Sequence, residues 1–227
     1  DLGHKVLSPT PTIVPLAVSD DWIKSLAGVS MSFMKITFYV DGVKKFMKKG
    51  KILFTHFGLS GPLILNSAKT VADLLHTGIV TATIDAFPDT DLGALEKRII
   101  NVFDINKNKM LKNVFDQIAP EGTSFAILSL VSVDPDKKVH SVTKEERKEI
   151  VQILKSLPVN ISGLMGFDRA VVADGGVSLD EIDTKTMRSK LYNNLYITGD
   201  LLHINRPSGG YSLQLCWTTG YVAGENA

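Results

Sequence analysis

The C-terminal end of the chain places the strongest constraint on its fold. Residues 195–198 form a short apolar, β-favouring run that stops at Gly199-Asp200. This pattern is typical of a buried parallel strand that ends at a ligand-binding crevice. The pair Gly209-Gly210 follows, and the apolar segment 215–223 predicts a buried helix behind it. A strand, an acidic turn, a glycine pair and a helix start are therefore expected in immediate succession.

This order of elements has a chemical interpretation. A carboxylate just past a strand can accept hydrogen bonds from sugar or ribityl hydroxyls. A glycine pair lets backbone N–H groups approach a flat ring, because no Cβ intervenes. The positive end of the helix dipole suits negative charge, such as that on the N1/O2 edge of a reduced flavin. The alternative is a plain strand–loop–helix whose glycines only make turns, and the stretch alone leaves both open.

Three separated motifs extend the pattern across the chain. They are GKILFTHFGLSGPLIL at 50–65, ADGGVSLDEIDTKTMRSKLYNNLYITGD at 173–200, and TGD followed after eight residues by GGYSLQ at 198–214. In this order, and over essentially all 227 residues, the sequence resembles the BaiN/YhiN-like family of FAD-dependent oxidoreductases. Members of that family are two-dinucleotide-binding-type flavoproteins whose FAD domain is interrupted by a large insertion.

The resemblance implies a mixed α/β (α+β) chain, in which an incomplete Rossmann-like FAD-binding domain is interrupted by an inserted β-barrel and a helical subdomain. Residues 1–16 are expected to be a connecting strand of the FAD domain, 17–87 the barrel, 88–166 the helical subdomain, and 167–227 the C-terminal part of the FAD domain. The implied activity is FAD-dependent redox chemistry on a small organic substrate, with NAD(P)H as a candidate reductant.

The same resemblance assigns the flavin-binding residues. Gly175, Gly176 and Val177 are expected to flank the isoalloxazine, and Gly199-Asp200 to meet the ribityl hydroxyls. The backbone amides of six consecutive residues are expected to face the flavin N1/O2 edge: Gly209, Gly210, Tyr211, Ser212, Leu213 and Gln214. No catalytic acid or base and no metal ligand is identified.

The chain departs from the family pattern at several of these positions. Ala173 stands where threonine is common, Asn205-Arg206 where aspartate and glycine are frequent, and Ser212 where asparagine is frequent. These changes are compatible with the expected backbone contacts to the flavin, but they leave the identity of the substrate undetermined. Arg206 is expected to add a cation near the mouth of the site.

The N-terminal end carries a further expectation. No GxGxxG fingerprint occurs in the 227 residues, although the family opens with one. We therefore expect this chain to be the C-terminal portion of a longer polypeptide, whose missing N-terminal segment is its partner and holds the FAD pyrophosphate. The chain alone should then be inactive and bind FAD weakly. A natural short relative without FAD is the alternative, and the oligomeric state is open.

The composition of the chain predicts where in the cell the protein is found. Hydrophobic residues at 44% and charged residues at 22% are typical of a globular protein. A single cysteine, Cys216, excludes an internal disulfide and favours a reducing compartment, which predicts the cytoplasm. No apolar run reaches the roughly 20 residues of a membrane span, so no membrane partner is expected.

The net charge of +1 gives no electrostatic argument for nucleic acid, so a nucleic-acid partner is not expected. A local exception is a cluster of five lysines at positions 44, 45, 48, 49 and 51. A solvated edge strand is the simpler interpretation of this cluster, and binding of a polyanion is the alternative. A competing hypothesis for the whole chain is therefore a non-catalytic protein- or RNA-docking module with a vestigial flavin site.

Local patterns predict the elements of the insertion. Alternating apolar residues at 34–40 and 78–87 predict strands, and Asp41-Gly42 predicts a hairpin turn. Pro62 is expected at the first position of a helix over 63–75, with Ser60 as its cap. Further helices are predicted over 92–103, 110–118 and 147–157, and residues 125–133 fit a short helix or a strand.

Capping signals and one histidine complete the sequence-based predictions. Asp91 should cap the helix over 92–103, and Thr143 to Glu146 should form a capping box before the helix over 147–157. His4, which has no second metal-binding residue beside it, is expected to be a solvated loop residue.

Overall fold

The computed structural model describes residues 2–227. It divides into two compact units: a smaller one built from residues 2–15 and 165–227, and a larger one, Leu16–Leu164. The strands are β1 (Val6–Ile13), β2 (Leu16–Val18), β3 (Ser30–Val40), β4 (Val43–Thr55), β5 (Gly58–Ser60), β6 (Val80–Asp85), β7 (Leu157–Leu164), β8 (Val172–Val177), β9 (Ile182–Asp183) and β10 (Arg188–Ser189). The α-helices are α1 (Asp21–Ser25), α2 (Pro62–Leu65), α3 (Ala68–Leu75), α4 (Leu92–Ile105), α5 (Ser124–Leu128), α6 (Lys144–Lys155) and α7 (Tyr211–Asn226).

The larger unit contains a closed antiparallel barrel in the order β2-β5-β4-β3-β6-β7. Its strands follow the predicted alternation, since Ile36, Phe38 and Val40 of β3 are all buried. β3 and β4 form the expected hairpin around Asp41-Gly42. A closed barrel leaves no free sheet edge, which accounts for the stability of such short strands as β2 and β5.

One barrel strand, β7, lies outside the range 17–87 that the sequence predicted for the barrel, and another, β2, begins one residue before that range. β2 begins at Leu16, and β7 comes from the range assigned to the helical subdomain. β7 pairs with β6, where Pro158 lies opposite Thr83, and with β2, where Leu164 lies opposite Leu16. Residues 157–164, which fall within the range 88–166 predicted for the helical subdomain, are therefore a barrel strand. Alternation is a local signal, whereas barrel closure depends on distant pairing.

The capped helices form as predicted. The Asp91 side chain accepts a 2.8 Å hydrogen bond from the Ala94 amide at the start of α4, and Thr143 and Glu146 complete the capping box of α6. The predicted helix over 110–118 is instead two 3₁₀ turns, Leu111–Asn113 and Phe115–Gln117. Within these turns the amides bond to the carbonyl three residues earlier, as from Val114 to Leu111. The amides of Leu111 and Lys112 join the stretch to the carbonyls of residues 137 and 135 of a neighbouring loop.

The predicted helix over 63–75 is divided. Pro62 is the first residue of α2, as expected, but α2 ends at Leu65 and α3 begins at Ala68. Ser60 does not cap α2: Gly61 occupies that position with φ of 94° and, as a glycine, provides no side-chain cap. Ser67 donates a 2.7 Å hydrogen bond to the Leu63 carbonyl between the two helices, which marks the break.

One hydrophobic core runs through the barrel and the helices of the larger unit. Phe38 and Phe54 of the barrel, and Leu95, Phe115 and Ile127 of the helical part, are all fully buried in the same cluster. Burying each such side chain contributes about 1.5–3 kcal/mol. Within this unit the barrel and helices therefore stabilise one another, and the four-part division of the chain stays a prediction.

The smaller unit has little regular sheet. β1 pairs antiparallel with β8, and β9 with β10. The extended, proline-containing β1 agrees with the prediction for the first segment, and Pro11 lies opposite Ala173. Residues 195–198 do not form the predicted parallel strand, since their contribution to pairing is a single antiparallel bridge between Arg188 and Tyr196.

The last helix also differs from its prediction. α7 starts at Tyr211 and is mostly exposed: of its residues only Thr219 and Ala223 are buried, whereas Trp217 and Tyr221 are 66% and 70% exposed. Its apolar residues are distributed around the helix axis, so one side cannot bury them all. No helix within residues 2–227 is long and apolar enough to cross a membrane.

Candidate functional site

Three segments predicted to bind flavin meet in the smaller unit. The first is the end of β8, where the Val177 carbonyl accepts a 2.9 Å hydrogen bond from the His203 amide and Val177 forms a parallel bridge with Leu202. The second is the turn at Gly199, whose amide donates a 2.9 Å hydrogen bond to Thr219 Oγ1 of α7. The third segment is α7 itself, which begins at Tyr211. The end of β8, the turn at Gly199 and α7 are therefore in direct contact.

Three of the predicted glycines are required by this local packing. Gly175, Gly176 and Gly199 have φ of 117°, 106° and 61°. A Cβ at Gly175 would lie 2.8 Å from the Ser8 carbonyl oxygen, one at Gly176 would collide with the Leu201 carbonyl, and one at Gly199 would lie 2.9 Å from Cys216 Sγ. Chain packing alone thus explains these three glycines, without any ligand.

The pair Gly209-Gly210 has a different environment. Both residues have positive φ, 109° and 89°, but a Cβ at Gly210 would meet nothing within 4 Å. Gly210 is the N-cap of the 16-residue α7 and, as a glycine, provides no side-chain cap. The first-turn amides and the positive end of the dipole are therefore available to an acceptor atom of a ligand.

Asp200 sits in the turn with its side chain 58% exposed, and it accepts a hydrogen bond from Arg206. The Arg206 side chain is only 6% exposed and also donates to Ser212 Oγ at 2.8 Å and to the Ile204 carbonyl at 2.6 Å. The expectation that Arg206 is a cation at the mouth of the site is wrong, because its guanidinium is buried and paired. Arg206 therefore links the turn that contains Asp200 to the first helical turn of α7. The carboxylate of Asp200 still has exposed lone pairs that can accept further hydrogen bonds.

Asp174 and His203 form a second side-chain contact that the sequence did not indicate. His203 Nδ1 lies 3.5 Å from Asp174 Oδ1, and the Asp174 side chain is 8% exposed. Within the described part of the chain, His203 Nδ1 is buried without a hydrogen-bond partner. These residues lie beside Gly175 and Leu202, so the pair borders the same three segments. The two residues are far apart in sequence, and no local pattern links them.

The expectation for His4 is also wrong. Its side chain is only 5% exposed and lies between two partners, with Nδ1 2.9 Å from Glu181 Oε2 and Nε2 3.1 Å from Ser189 Oγ. The Lys5 amide donates a second hydrogen bond to Glu181, and together these groups hold the pKa of Glu181 below its ordinary value. This network joins the chain's first residues to the β9–β10 region.

The arrangement fits part of a flavin. The uncapped amides at α7 suit the N1/O2 edge, and the exposed lone pairs of Asp200 suit hydroxyl groups. In the part of the chain that the structure describes, no group of three or more His, Cys, Asp or Glu residues is placed to hold a metal ion.

Comparison with known proteins identifies the family. The profile of a family described as "HI0933-like protein barrel and H2TH domain" matches residues 10–172, more than half of the chain. This chain belongs to the HI0933-like family. The match covers the barrel and the helices around it, which confirms the predicted resemblance and the presence of an inserted barrel.

Curated relatives of this HI0933-like chain are enzymes. It is 25% identical over 227 residues to the 3-dehydro-bile acid delta(4,6)-reductase of Clostridium scindens, covering 100% of the chain and 55% of that protein. It is 26% identical over 222 residues to the ribosomal RNA dihydrouridine synthase of Haemophilus influenzae, covering 97% of the chain and 52% of the relative. The enzyme of the same name from Escherichia coli is 26% identical over 227 residues, with 99% and 53% covered. The chain thus spans about half the length of these relatives.

Proposed function

We propose that this HI0933-like chain is part of a FAD-dependent oxidoreductase that reduces a carbon–carbon double bond conjugated to a carbonyl group. The observation that supports the FAD site most directly is the open N-terminus of α7 behind Gly209-Gly210. Packing does not require a glycine at position 210, in contrast to positions 175, 176 and 199, because a Cβ there would meet open space. A ligand with an electron-rich edge would give the first-turn amides their partner.

The reaction class follows from what the relatives' names have in common. A delta(4,6)-reductase acts on double bonds conjugated to a 3-oxo group, and dihydrouridine is uridine with its ring double bond reduced. Each double bond that is reduced gains two hydrogens, one as hydride and one as a proton. FAD, when bound, would supply the hydride, and NAD(P)H is the candidate source of the electrons.

Each part of the site then has a proposed role. The amides of Gly210, Tyr211 and Ser212 would hold the N1/O2 edge, and Asp200 would bind ribityl hydroxyls. Arg206 would act as a positioning residue, because it fixes Asp200 relative to α7 through Ser212. The FAD pyrophosphate would be held by a segment outside these 227 residues, since no GxGxxG occurs within them.

His203 is the proposed proton donor. Its Nδ1 lies 3.5 Å from Asp174 Oδ1, so the carboxylate would orient the ring, while 33% of the side chain is exposed. The proton would pass to the substrate carbon that does not receive the hydride, so the double bond gains two hydrogens in total. A positioned general acid of this kind contributes about 10²–10⁴-fold to a rate.

The reaction class is tested with the gene product that contains this chain. We expect NAD(P)H oxidation that depends on an added 3-oxo-delta(4,6) steroid or on a uridine-containing RNA, with a product that mass spectrometry shows to be two hydrogens heavier. Absence of reduction with both substrate types would contradict the proposed reaction.

The role of His203 is tested by separating the two half-reactions. In His203→Gln, reduction of the flavin by NAD(P)H should be unchanged, whereas oxidation of the reduced flavin by substrate should slow by about 10²-fold. The matched control is His76→Gln, because His76 is an exposed histidine of the larger unit. Equal slowing of both half-reactions would indicate a structural role only.

A further inference from the structure

Phe33 is an exposed aromatic residue in a strained conformation. It lies on β3 with φ of 59° and is 79% exposed. The strand contains a β-bulge at this point. Met31 pairs with Ile52 and Met34 with Gly50, so residues 32 and 33 of β3 together oppose the single residue Lys51 of β4. A phenylalanine at positive φ costs conformational energy, and exposing its ring to water contributes nothing to folding. Such strain often accompanies function, and bulges often redirect side chains beside functional sites.

A small cavity of about 190 Å³ lies beside Phe33. Its walls are apolar at Phe33, Phe87 and Pro88, and polar at Asp89 and Thr90. This volume is smaller than the ~300 Å³ lower bound for sites of drug-sized ligands, so it suits a single planar ring. Phe33 offers that ring a stacking surface, and the polar side chains offer hydrogen bonds to its edge.

A row of outward-facing lysines on β4 borders the same place. Lys45, Lys49 and Lys51 are exposed and lie on the same side of the strand, since side chains alternate with a period of two. Lys51 lies opposite the Phe33 bulge. Lys49 is 2.9 Å from Asp89, but both side chains are largely exposed, at 56% and 81%. Among residues 2–227, Lys45 and Lys51 have no ion-pair partner.

We propose that this face of the barrel binds single-stranded RNA, with one base stacked on Phe33 and neighbouring phosphates on Lys51, Lys49 and Lys45. An aromatic platform flanked by cations is the combination that single-strand-binding proteins use. Ribosomal RNA in the names of two relatives favours RNA over a protein partner. The proposal does not rest on the flavin site, because every residue it uses belongs to the larger unit.

The small net charge of +1 is compatible with this site. Only about three phosphates are contacted, so the affinity should depend modestly on salt. Each neutralised phosphate of a single strand contributes about −0.7 to the slope of log affinity against log salt. The expected slope is therefore about −2, and Lys51→Ala should bring it to about −1.4.

The test is fluorescence anisotropy of a labelled oligouridine titrated with the gene product that contains this chain. Phe33→Gly is the decisive variant, because glycine accepts the positive φ and preserves the bulge. We expect it to unfold at the same or higher urea concentration than the parent and to bind the oligouridine about tenfold or more weakly. Phe33→Trp should retain binding.

Two variants serve as matched controls. Phe125 is an equally exposed phenylalanine, at 84%, in the helical part, and Lys97 is an exposed lysine of α4. Phe125→Ala and Lys97→Ala should bind the oligouridine as the parent does. The proposal is overturned if the parent shows no salt-dependent binding, which would leave this face to a protein contact, or if Phe33→Gly binds as tightly as the parent.

Discussion

At the scale of single residues, Glu181 connects both ends of the smaller unit. Its carboxylate accepts a 2.7 Å hydrogen bond from the Lys5 amide and lies 2.9 Å from His4 Nδ1. The Lys5 hydrogen bond is the main cause of its lowered pKa, and His4 adds to the effect. A carboxyl group with a lowered pKa in the folded state stabilises that state at pH above 4.5, and the contribution is lost as pH falls through the lowered pKa.

This linkage predicts the pH dependence of unfolding. Between about pH 5 and pH 3, the free energy of unfolding should fall less for Glu181→Gln than for the parent, because glutamine does not titrate. Urea unfolding across this range measures the difference. Glu121→Gln, at an exposed position with no pKa shift resolved, is the control and should follow the parent. Parallel curves for parent and Glu181→Gln would contradict the prediction.

Two of the glycines should respond differently to substitution. Gly176→Ala combines positive φ with a collision at the Leu201 carbonyl, and should lower the free energy of unfolding by roughly 3 kcal/mol. Gly210→Ala meets open space, so only its φ is unfavourable, at a cost of about 1–2 kcal/mol. Urea unfolding of both variants measures this difference. Equal losses would show that packing at Gly176 is less tight than the structure indicates.

At the scale of elements, Asp85 joins the barrel to the helical part. Its side chain is 4% exposed and lies 2.9 Å from both Lys35 of β3 and Lys155 of α6. Lys155 also donates 2.7 Å hydrogen bonds to the carbonyls of Phe87 and Thr90. A buried carboxylate with two cationic partners is costly to remove, because the lysines lose their compensating charge.

Removal of this carboxylate should therefore destabilise the larger unit. Asp85→Ala is expected to lower the free energy of unfolding by about 2 kcal/mol. This loss is smaller than that for breaking a fully buried ion pair, because the side chains of both lysines are partly exposed to solvent. Asp89→Ala removes an exposed partner of Lys49 and should cost less than about 1 kcal/mol. Thermal unfolding followed by circular dichroism compares the two, and similar losses would contradict the role of Asp85.

The elements also show what sequence patterns can predict here. Alternation located β3 and β6, and capping residues located α4 and α6, because these signals are local. The closure of the barrel by β7 and the 3₁₀ turns near Leu111 depend on partners distant in sequence, which local patterns do not contain. At the candidate site, the motifs gave only the order of the glycines, Asp200 and the last helix along the chain, whereas the pairing of Arg206 with Asp200 required the folded chain.

At the scale of the whole molecule, the two units have separate proposed tasks. The smaller unit presents the open N-terminus of α7 and Asp200 for FAD, and the larger unit presents Phe33 and its lysines for RNA. The chain spans about half the length of its curated relatives, so FAD binding is best measured on the gene product that contains it. We propose that this gene product holds FAD at the α7 end of the smaller unit.

The most direct test is the visible absorption spectrum of that gene product as purified, compared with its Asp200→Ala variant at equal protein concentration. We expect the two visible bands of oxidised flavin in the parent and a lower flavin-to-protein ratio in the variant, since one set of hydroxyl contacts is lost. A parent that is colourless and takes up no added FAD would contradict the flavin site. Unchanged flavin content in Asp200→Ala would contradict the role of that carboxylate.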